Sequence, residues 1–244
     1  MPLTSYMVSC LKKQRTFAYE KNIYNIYSLL EKSSPQNILD IGCDDGALTL
    51  AVGERAGVKN LYGIECIPHR AAIARERGIE IKEVTLKSGI KMPYEDNFFD
   101  LVLSNQVIEH VGDVDHFMEE IYRVLAPNGH AIISTENLSS WHNIAALVLG
   151  YMPFSLTNIT NKTAALGNPL DFNHGKSFCW EGTSWQHIRV FTLKGLQHLF
   201  SLHGFKVESV KASGYYPLGN WVSRFDRAHS AFITFKIKKE CLEC

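Results

Sequence analysis

Short apolar runs alternate with amphipathic segments through the first 135 residues. Five segments are predicted to be strands, at 37–41, 61–64, 79–86, 99–104 and 131–134. The continuous apolar run at 99–104 is typical of a strand covered on both faces. Between them, apolar side chains at helical spacing predict helices over 16–32, 47–56, 68–77 and from Val114 to the break at Pro127-Asn128-Gly129. This alternation predicts a mostly parallel sheet with helices on both faces.

The pattern changes after residue 135. Residues 136–190 are rich in Asn, Gly, Pro and aromatic side chains, and one helix is predicted there, over Trp141–Leu149. Loops of this length in a compact domain are usually functional or disordered. A helix from Thr192 to Gly204 then precedes two strands with no helix between them, at 205–210 and 231–238, which predicts an antiparallel hairpin. We therefore expect one domain over 1–244, made of an N-terminal helical cap (1–34), a core (35–135), a lid or substrate insertion (136–190), and a closing helix and hairpin (191–240).

Composition narrows the class of protein. Hydrophobic residues make up 45% of the chain, charged residues 20%, and the formal net charge is zero. These values are typical of a globular protein, and they argue against a disordered chain or a basic nucleic-acid binder. No apolar stretch approaches the roughly 20 residues of a membrane span, and the N-terminus lacks the apolar region of a signal peptide, so we expect a cytoplasmic protein. The pair Cys241 and Cys244 lacks the further ligands of a zinc site, and we expect no metal.

The candidate chemistry lies in the loops that follow the first two strands. The first loop contains the turn Gly42–Gly46, and the second begins with the acid Glu65. In an open α/β sheet ligands bind beyond the carboxyl ends of the strands, where an acid can accept hydrogen bonds from ribose hydroxyls. A dinucleotide fingerprint needs glycine at positions 44 and 47, which are Asp44 and Ala47 here. The spacing G-x-G-x-G keeps two of its three glycines, and the negative charges of Asp44 and Asp45 disfavour a bound pyrophosphate.

Four runs of sequence carry a resemblance to a known family: Leu39-Asp-Ile-Gly-Cys-Asp-Asp-Gly46, Met92-Pro-Tyr-Glu-Asp-Asn-Phe-Phe-Asp100, Asn105-Gln-Val-Ile-Glu-His110 and Arg123-Val-Leu-Ala-Pro-Asn-Gly129. In order and spacing they resemble class I S-adenosylmethionine-dependent methyltransferases, in particular the type 11-like, small-molecule branch with MetW-, UbiG- and UbiE-like proteins. The resemblance covers 39–137 well and the C-terminal part more loosely. It implies a Rossmann-like, doubly wound sheet of seven strands, mostly parallel with an antiparallel C-terminal strand, in three α/β/α layers.

The resemblance also implies which residues bind S-adenosylmethionine and its product S-adenosylhomocysteine. The methionine end is assigned to Asp40, Gly42, Cys43, Asp44 and Gly46, and the ribose to Glu65. The adenine is assigned to Cys66, Ile67, Thr85 and Leu86. The floor near the methyl group is assigned to Asn105 and Gln106. Two positions depart from the family pattern. Asp44 stands at the middle glycine, where aspartate tolerates a left-handed backbone and can pair with the methionine ammonium. Thr85 or Ser88 stands where the family often has an acid that reads the adenine amino group.

Candidates for the reacting end lie in the loops. Histidine is the natural base near neutral pH, so the catalytic candidates are His110 with Glu109, after the fourth strand, and His187. The alternative role for Glu109 and His110 is to orient the following loop. The substrate-binding candidates are Trp141, His142 and Arg189. The alternative for Trp141 and His142 is packing, and the alternative for His187 and Arg189 is a surface loop with solvated ends.

The predicted function is in-line transfer of a methyl group from S-adenosylmethionine to an acceptor oxygen. The apolar, aromatic insertion favours a ring-bearing or lipid-like acceptor, so we expect a small molecule or a lipid or glycan precursor. One alternative is a catalytically silent module that binds S-adenosylmethionine, and another is a nucleotide-dependent oxidoreductase. We expect no nucleic-acid partner, no membrane span, and a monomer or homodimer.

Overall fold

The computed structural model describes residues 3–30, 36–171, 173, 185–216 and 218–240, with side chains from Lys13 onward. The predicted helix end at 33–35 and the pair Cys241 and Cys244 lie outside the described residues. No described helix is both long enough and apolar enough to cross a membrane.

Six helices and seven strands follow one another along the described chain. They are α1 (Leu3–Leu29), β1 (Asn37–Ile41), α2 (Ala47–Ala56), β2 (Asn60–Ile64), α3 (Pro68–Glu76), β3 (Glu80–Lys82), β4 (Phe99–Asn105), α4 (Val114–Val124), β5 (Leu125–Glu136), α5 (Trp141–Val148), α6 (Leu193–Leu202), β6 (Phe205–Ser213) and β7 (Phe232–Lys239). Short 3-10 helices occur at Ile108–His110, Phe154–Leu156 and Asn220–Arg224.

The strands form one sheet in the order β3-β2-β1-β4-β5-β7-β6. The first five pair in parallel, and the C-terminal strands bring antiparallel pairing into the sheet. Ile41 at the end of β1 lies opposite Ile64 of β2 and Ser104 of β4, so these three strands end at the same level. The loops that follow them therefore meet at one edge, which confirms the predicted Rossmann-like architecture.

The chain divides into two compact units. Unit 1 comprises Met1–Asn25, Thr135–Leu196 and Lys211–Ile233, and unit 2 comprises Ile26–Ser134, Gln197–Val210 and Thr234–Cys244. Unit 2 contains most of the sheet, and the strands at its centre, β1 and β4, are buried over most of their length. Unit 1 contains α5 and the 3-10 helices Phe154–Leu156 and Asn220–Arg224. It has a small core of Ala18, Ala231 and Phe232.

An arginine in unit 2 connects two of the runs of sequence that carry the family resemblance, 92–100 and 123–129. Arg123 of α4 donates to both carboxylate oxygens of Glu120, each at 2.7 Å, and to the carbonyl oxygens of Met92 and Tyr94 at 3.0 and 2.8 Å. It also pairs with Asp96 at 2.7 Å. This network fixes the segment that leads into β4. Because its partners are carboxylates, the pKa of Arg123 lies above its usual range.

Several predicted elements differ from the structure, among them β5, which spans Leu125–Glu136 where a strand is predicted at 131–134. Helix α1 begins at Leu3 and not at residue 16. The third strand has three residues, Glu80–Lys82, in place of the eight predicted, since it lies at the edge of the sheet and pairs only with β2. Helix α4 ends at Val124, before Pro127, because β5 already begins at Leu125.

Candidate active site

The turn between β1 and α2 in unit 2 has a backbone that depends on glycine. Gly42 has φ +72° and donates to the carbonyl oxygen of Ile64 at 2.8 Å, and Gly46 has φ +78°. A Cβ atom on Gly42 would lie 2.6 Å from Cγ2 of Val107, which is too close for a side chain. Gly46 is similarly enclosed by Ile79. At Gly42 the turn therefore packs closely against Val107 in the loop that follows β4. Gly42 is nevertheless exposed to solvent.

The two aspartates of this turn are paired with arginines. Asp44 has φ +50°, so it does adopt the left-handed backbone, and its carboxylate lies 3.2 Å from Arg70. Asp45 lies 2.9 Å from Arg77 and accepts a hydrogen bond from the amide of Ala47 at 3.0 Å. The arginines offset the negative charge at the start of α2. In this structure the Asp44 carboxylate already has a cationic partner.

Glu65, immediately after β2, joins the two loops. Its side chain is buried, and its two carboxylate oxygens accept from the amide of Asp44 at 2.9 Å and from the amide of Ile67 at 2.8 Å. A carboxylate has about four lone-pair positions, so two backbone donors leave it further capacity as an acceptor. Cys66 is exposed and Ile67 is half-buried, directly before α3.

Asp40, the fourth residue of β1, is a second buried acid near this turn. Its carboxylate accepts from the Thr49 hydroxyl at 2.6 Å. Burial raises the pKa of Asp40 to about 7, with the Thr49 hydrogen bond acting against this shift and the Glu65 carboxylate adding to it. Burial, with the same two carboxylates, also raises the pKa of the Cys43 thiol. Cys43 is therefore an inert, protonated thiol.

The residues that end β4 complete the group in unit 2. Gln106 has φ +59°, and its amide donates to the carbonyl oxygen of Ser134 at 2.8 Å. Its side-chain nitrogen is buried, and no described residue accepts a hydrogen bond from it. Asn105 is half-buried beside it. Glu109 and His110 follow on the 3-10 helix, where Glu109 is fully buried and His110 is half-buried.

Thr85 and Leu86 are placed differently from the other adenine candidates. Both lie beyond the end of β3, in an irregular segment where Thr85 is exposed and Leu86 half-buried. Ser88 donates to Asp113 at 2.6 Å, and Asp113 caps α4 by accepting from the amide of His116 at 3.1 Å. The hydroxyl of Ser88 thus supports the helix cap.

Unit 1 contains His187. Its Nδ1 atom lies 2.7 Å from the carbonyl oxygen of Ser155 and 4.0 Å from the carboxylate of Glu136, at the end of β5. A carbonyl oxygen can only accept, so Nδ1 carries a proton and Nε2 is the basic nitrogen of the neutral ring.

His142, on α5, lies among aromatic side chains of the same unit. Its ring centre is 5.1 Å from that of Tyr216 and 5.6 Å from that of Phe154. Burial lowers the pKa of His142 to about 4, against the opposing effect of Glu136 and with a further lowering by Arg15. The ring is therefore neutral at pH 7. Burial also raises the pKa of Tyr216, whose hydroxyl has no hydrogen-bond partner among the described residues.

Trp141 takes part in a packed polar network in unit 1. Its indole nitrogen donates to the Tyr215 hydroxyl at 2.6 Å, and that hydroxyl donates to Asp226, also at 2.6 Å. The indole stacks on His229 at 4.6 Å, and His229 pairs with Asp226 at 2.9 Å. These contacts hold one face of Trp141 against unit 1, while its side chain stays 44% exposed. Arg189 is half-buried in the segment that leads to α6.

Several contributors to these groups are missing from the sequence-based set. In unit 2 they are Thr49, Arg70, Arg77 and Val107, and in unit 1 they are Glu136, Ser155 and Tyr216. The position of Glu136 at the carboxyl end of β5 is a signal that would have found it. The others depend on contacts between distant parts of the chain.

Comparison with known proteins shows the family of the chain. The model of a family described as a methyltransferase domain matches residues 14–210, so the chain belongs to that family. Norajmaline N-methyltransferase from Rauvolfia serpentina is 37% identical over 114 residues, which cover 45% of this chain and 38% of that protein. Ubiquinone biosynthesis O-methyltransferase from Rickettsia akari (strain Hartford) is 30% identical over 129 residues, covering 49% of this chain and 50% of that protein. The chain thus spans half or less of the length of these curated relatives.

A solved structure shows the same fold over nearly the whole chain. The S-adenosylmethionine-dependent methyltransferase from Thermotoga maritima superposes with a TM-score of 0.61 at 21% identity, covering 93% of this chain and 91% of that one. At this identity the likeness establishes the fold.

Proposed function

We propose that this protein transfers the methyl group of S-adenosylmethionine to a hydroxyl oxygen of a small-molecule acceptor or of a lipid or glycan precursor. The observation that carries the proposal is the group of residues at the level ends of β1, β2 and β4. Its glycine turn, its buried acid and its unsatisfied Gln106 amide are what a nucleoside with an amino-acid tail requires. Membership of the methyltransferase domain family supports it.

The residues of unit 2 fit S-adenosylmethionine by their chemistry. In this proposal Glu65 accepts from the ribose hydroxyls and the turn Gly42–Gly46 faces the methionine tail. Cys66 and Ile67 flank the adenine, and Asn105 and Gln106 form the floor near the methyl group. The Gln106 amide supplies a donor for which the described residues hold no acceptor. Asp44 contributes through its backbone, because its carboxylate pairs with Arg70. Thr85 and Leu86 are secondary contacts, since no strand positions them.

The sulfonium of the bound cofactor supplies an activated methyl carbon, so the protein has to align the acceptor, exclude water and remove a proton. We assign the proton transfer to His187, because the Ser155 carbonyl oxygen fixes its tautomer with Nε2 as the basic atom. The Glu136 carboxylate lies 4.0 Å from Nδ1 of the same ring. His110, with Glu109, is the second candidate base. Trp141, His142 and Arg189 are proposed for acceptor binding, with neutral His142 and Tyr216 offering an aromatic, uncharged environment.

Titration calorimetry of the purified protein tests the cofactor assignment. We expect S-adenosylmethionine and S-adenosylhomocysteine to bind with Kd in the micromolar range, and NAD to give no heat of binding. Binding of NAD alone would replace the proposal with the oxidoreductase alternative. Binding of S-adenosylmethionine without turnover of any acceptor fraction would support the silent module.

Labelled methyl donor tests the acceptor assignment. After incubation with fractionated small-molecule extract, fragmentation of the labelled product locates the methyl group on oxygen or on nitrogen. A nitrogen acceptor is the second candidate, because the similar Rauvolfia proteins are named as N-methyltransferases. His187→Ala should lower kcat by roughly 10²–10⁴ without changing cofactor affinity. His198→Ala, an exposed histidine on α6, is the matched control.

A further inference from the structure

The neutral total charge of the chain conceals a strong division between the two units. Unit 1 contains 11 lysine and arginine residues against 5 aspartate and glutamate residues, so its formal charge is +6. Unit 2 contains 14 basic and 20 acidic residues, so its formal charge is −6. Unit 1 by itself therefore attracts anionic surfaces, which the composition of the whole chain does not suggest.

Exposed apolar side chains are divided in the same way. Among the described residues, seventeen large hydrophobic side chains are exposed, and fifteen of them belong to unit 1. In unit 2 only Ile90 and Leu202 are exposed among the residues described there. Apolar side chains concentrated on one positively charged unit indicate an interaction surface, because isolated exposed residues would be distributed over both units.

The 3-10 helix Asn220–Arg224 and the residues around it form the clearest part of this surface. Trp221 is 67% exposed and Phe225 is 83% exposed, with their rings 6.3 Å apart. Leu218 is 56% exposed beside them, and Arg224 and Arg227 provide positive charge. We call these five residues the Trp221 surface.

The acid within this stretch does not cancel the two arginines locally. Asp226, whose side chain is 31% exposed, accepts from the Tyr215 hydroxyl at 2.6 Å and pairs with His229 at 2.9 Å, so its carboxylate is engaged by residues other than the two arginines. The side of this segment that faces solvent is thus aromatic, aliphatic and cationic.

Helix α1 presents a similar combination in the same unit. Phe17 and Tyr24 are exposed, and the Lys21 ammonium lies 4.9 Å from the Tyr24 ring centre. The end of β6 holds both elements, because Ser213 donates to the carbonyl oxygen of Ala18 at 2.9 Å and the next amide, that of Gly214, donates to Asn220 at 2.6 Å.

We propose that unit 1 docks on an anionic lipid surface through the Trp221 surface, assisted by Phe17, Lys21 and Tyr24 of α1. Tryptophan and phenylalanine side chains enter the boundary between headgroups and acyl chains, and arginine and lysine are attracted to anionic headgroups. A symmetric dimer through this surface is disfavoured as the occupant, since it would bring two units of charge +6 together. Exposed Leu218 favours hydrocarbon over a stacked nucleic-acid base. The proposal does not depend on methyl transfer.

Vesicle flotation of the full-length protein tests the docking. Vesicles of phosphatidylcholine are compared with vesicles that also contain phosphatidylglycerol, at low and high salt. We expect the protein to float with the anionic vesicles and to be released by salt. Trp221→Ser/Phe225→Ser should reduce the bound fraction at least tenfold, and each of Arg224→Gln and Arg227→Gln about fivefold. Leu202→Ser, which removes a 70% exposed side chain from unit 2, is the matched control and should bind as the native chain does.

Several outcomes would overturn the proposal. They are absence of binding to either vesicle, equal binding of the native chain and the Trp221/Phe225 variant, or loss of binding in Leu202→Ser. Binding of a single-stranded oligonucleotide, or self-association in size-exclusion chromatography, through the same residues and without vesicle binding would also exclude it. Thermal unfolding of each variant shows whether it is folded. If the double serine variant is not, the charge reversal Arg224→Glu/Arg227→Glu, which alters only exposed side chains, decides the question through loss of the preference for anionic vesicles.

Discussion

At the scale of single residues, Glu65 has two tasks in the proposed site. It holds the two loops together through the amides of Asp44 and Ile67, and it offers remaining acceptor capacity to a ribose. Glu65→Gln removes the charge and places an amide group where an acceptor is needed. We expect the affinity for S-adenosylmethionine to fall roughly 5- to 150-fold, corresponding to about 1–3 kcal/mol, as measured by calorimetry.

Glu80→Gln is the control for this change, because Glu80 is an exposed acid on β3 whose recorded ion pair is with Lys82. It should leave the affinity unchanged. Equal affinities of native and Glu65→Gln proteins would remove Glu65 from the ribose assignment. If Glu65→Gln lowers thermal stability without changing the Kd for S-adenosylmethionine, Glu65 only joins the two loops.

Asp40 gives a prediction about pH. Its pKa is about 7 in the folded protein against an ordinary 3.8, so the folded state holds a proton that the unfolded state releases at lower pH. The free energy of unfolding attributable to Asp40 therefore decreases as pH rises from about 4 to about 7 and levels off above that. The full effect is on the order of 4 kcal/mol. Asp40→Asn should remove it.

Urea unfolding of the native chain and of Asp40→Asn, between about pH 4 and about pH 8, measures this difference. The variant should gain stability relative to the native chain as pH rises. A difference that is constant with pH would show that the Asp40 carboxyl is ionised throughout and that its burial is compensated. The comparison between two proteins cancels the contributions of the other acids.

The sequence predicts some of these residues and not others, for a physical reason. Asp40, Gly42 and Glu65 stand at or beyond the ends of buried apolar runs, and the ends of parallel strands meet at one edge. The partners Thr49 and Arg70 lie on helices, where nothing local indicates which way a polar side chain points. For this reason the sequence predicts that the Asp44 carboxylate can pair with the cofactor ammonium but does not predict its ion pair with Arg70.

At the scale of the element, the turn between β1 and α2 can be tested with two of its glycines. Gly42 and Gly57, at the end of α2, have φ of +72° and +71°. An alanine side chain incurs about the same backbone strain at both, on the order of 1–2 kcal/mol. At Gly42 it would also meet Val107, whereas at Gly57 nothing lies within 4 Å. We expect Gly42→Ala to cost roughly 1–3 kcal/mol more than Gly57→Ala in urea unfolding.

Gly42→Ala should also weaken binding of S-adenosylmethionine, and Gly57→Ala should not. Equal costs for the two variants would mean that Val107 moves aside easily. Loss of stability without loss of cofactor affinity would place the bound cofactor away from Gly42.

Other elements show where periodicity misleads. The central strands β1 and β4 agree with their predicted limits within one residue, because continuous apolar runs leave little freedom. In α1 the helical spacing of Ile23, Ile26, Tyr27 and Leu30 predicts an inward face. Among the described side chains, the buried ones are Ala18, Asn22, Ile26 and Leu29. Asn22 is polar and Ala18 is small, so neither contributes strongly to a hydrophobic periodicity, although both are buried.

At the scale of the whole molecule, the two units differ in how much of their structure local sequence patterns predict. Unit 2 contains the strands and loops from which the family resemblance was predicted, and the sequence indicates most of its proposed cofactor residues. Unit 1 is built from three distant stretches of chain joined by contacts such as Trp141 with Tyr215. Local patterns do not predict such contacts, and the charges of +6 and −6 emerge only when the stretches are assigned to units.

Hydrogen exchange with and without S-adenosylmethionine tests the proposed cofactor assignment over the entire chain at once. We expect slower exchange in three separate segments of unit 2, namely 42–46, 65–67 and 105–107, because ligand binding suppresses the local opening of the amides it covers. The Trp221 surface, proposed to serve a different partner, should exchange at the same rate in both conditions. NAD at the same concentration should change none of them.

The discriminating result is the joint behaviour of the three segments. They are far apart in sequence but follow strands that end at the same level, so one ligand should protect all of them with one dependence on concentration. Protection of a single segment would indicate an adventitious contact and contradict the shared site. Uniform slowing of exchange over both units would indicate global stabilisation. The position of the cofactor would then be decided by the affinities of the Glu65→Gln and Gly42→Ala variants.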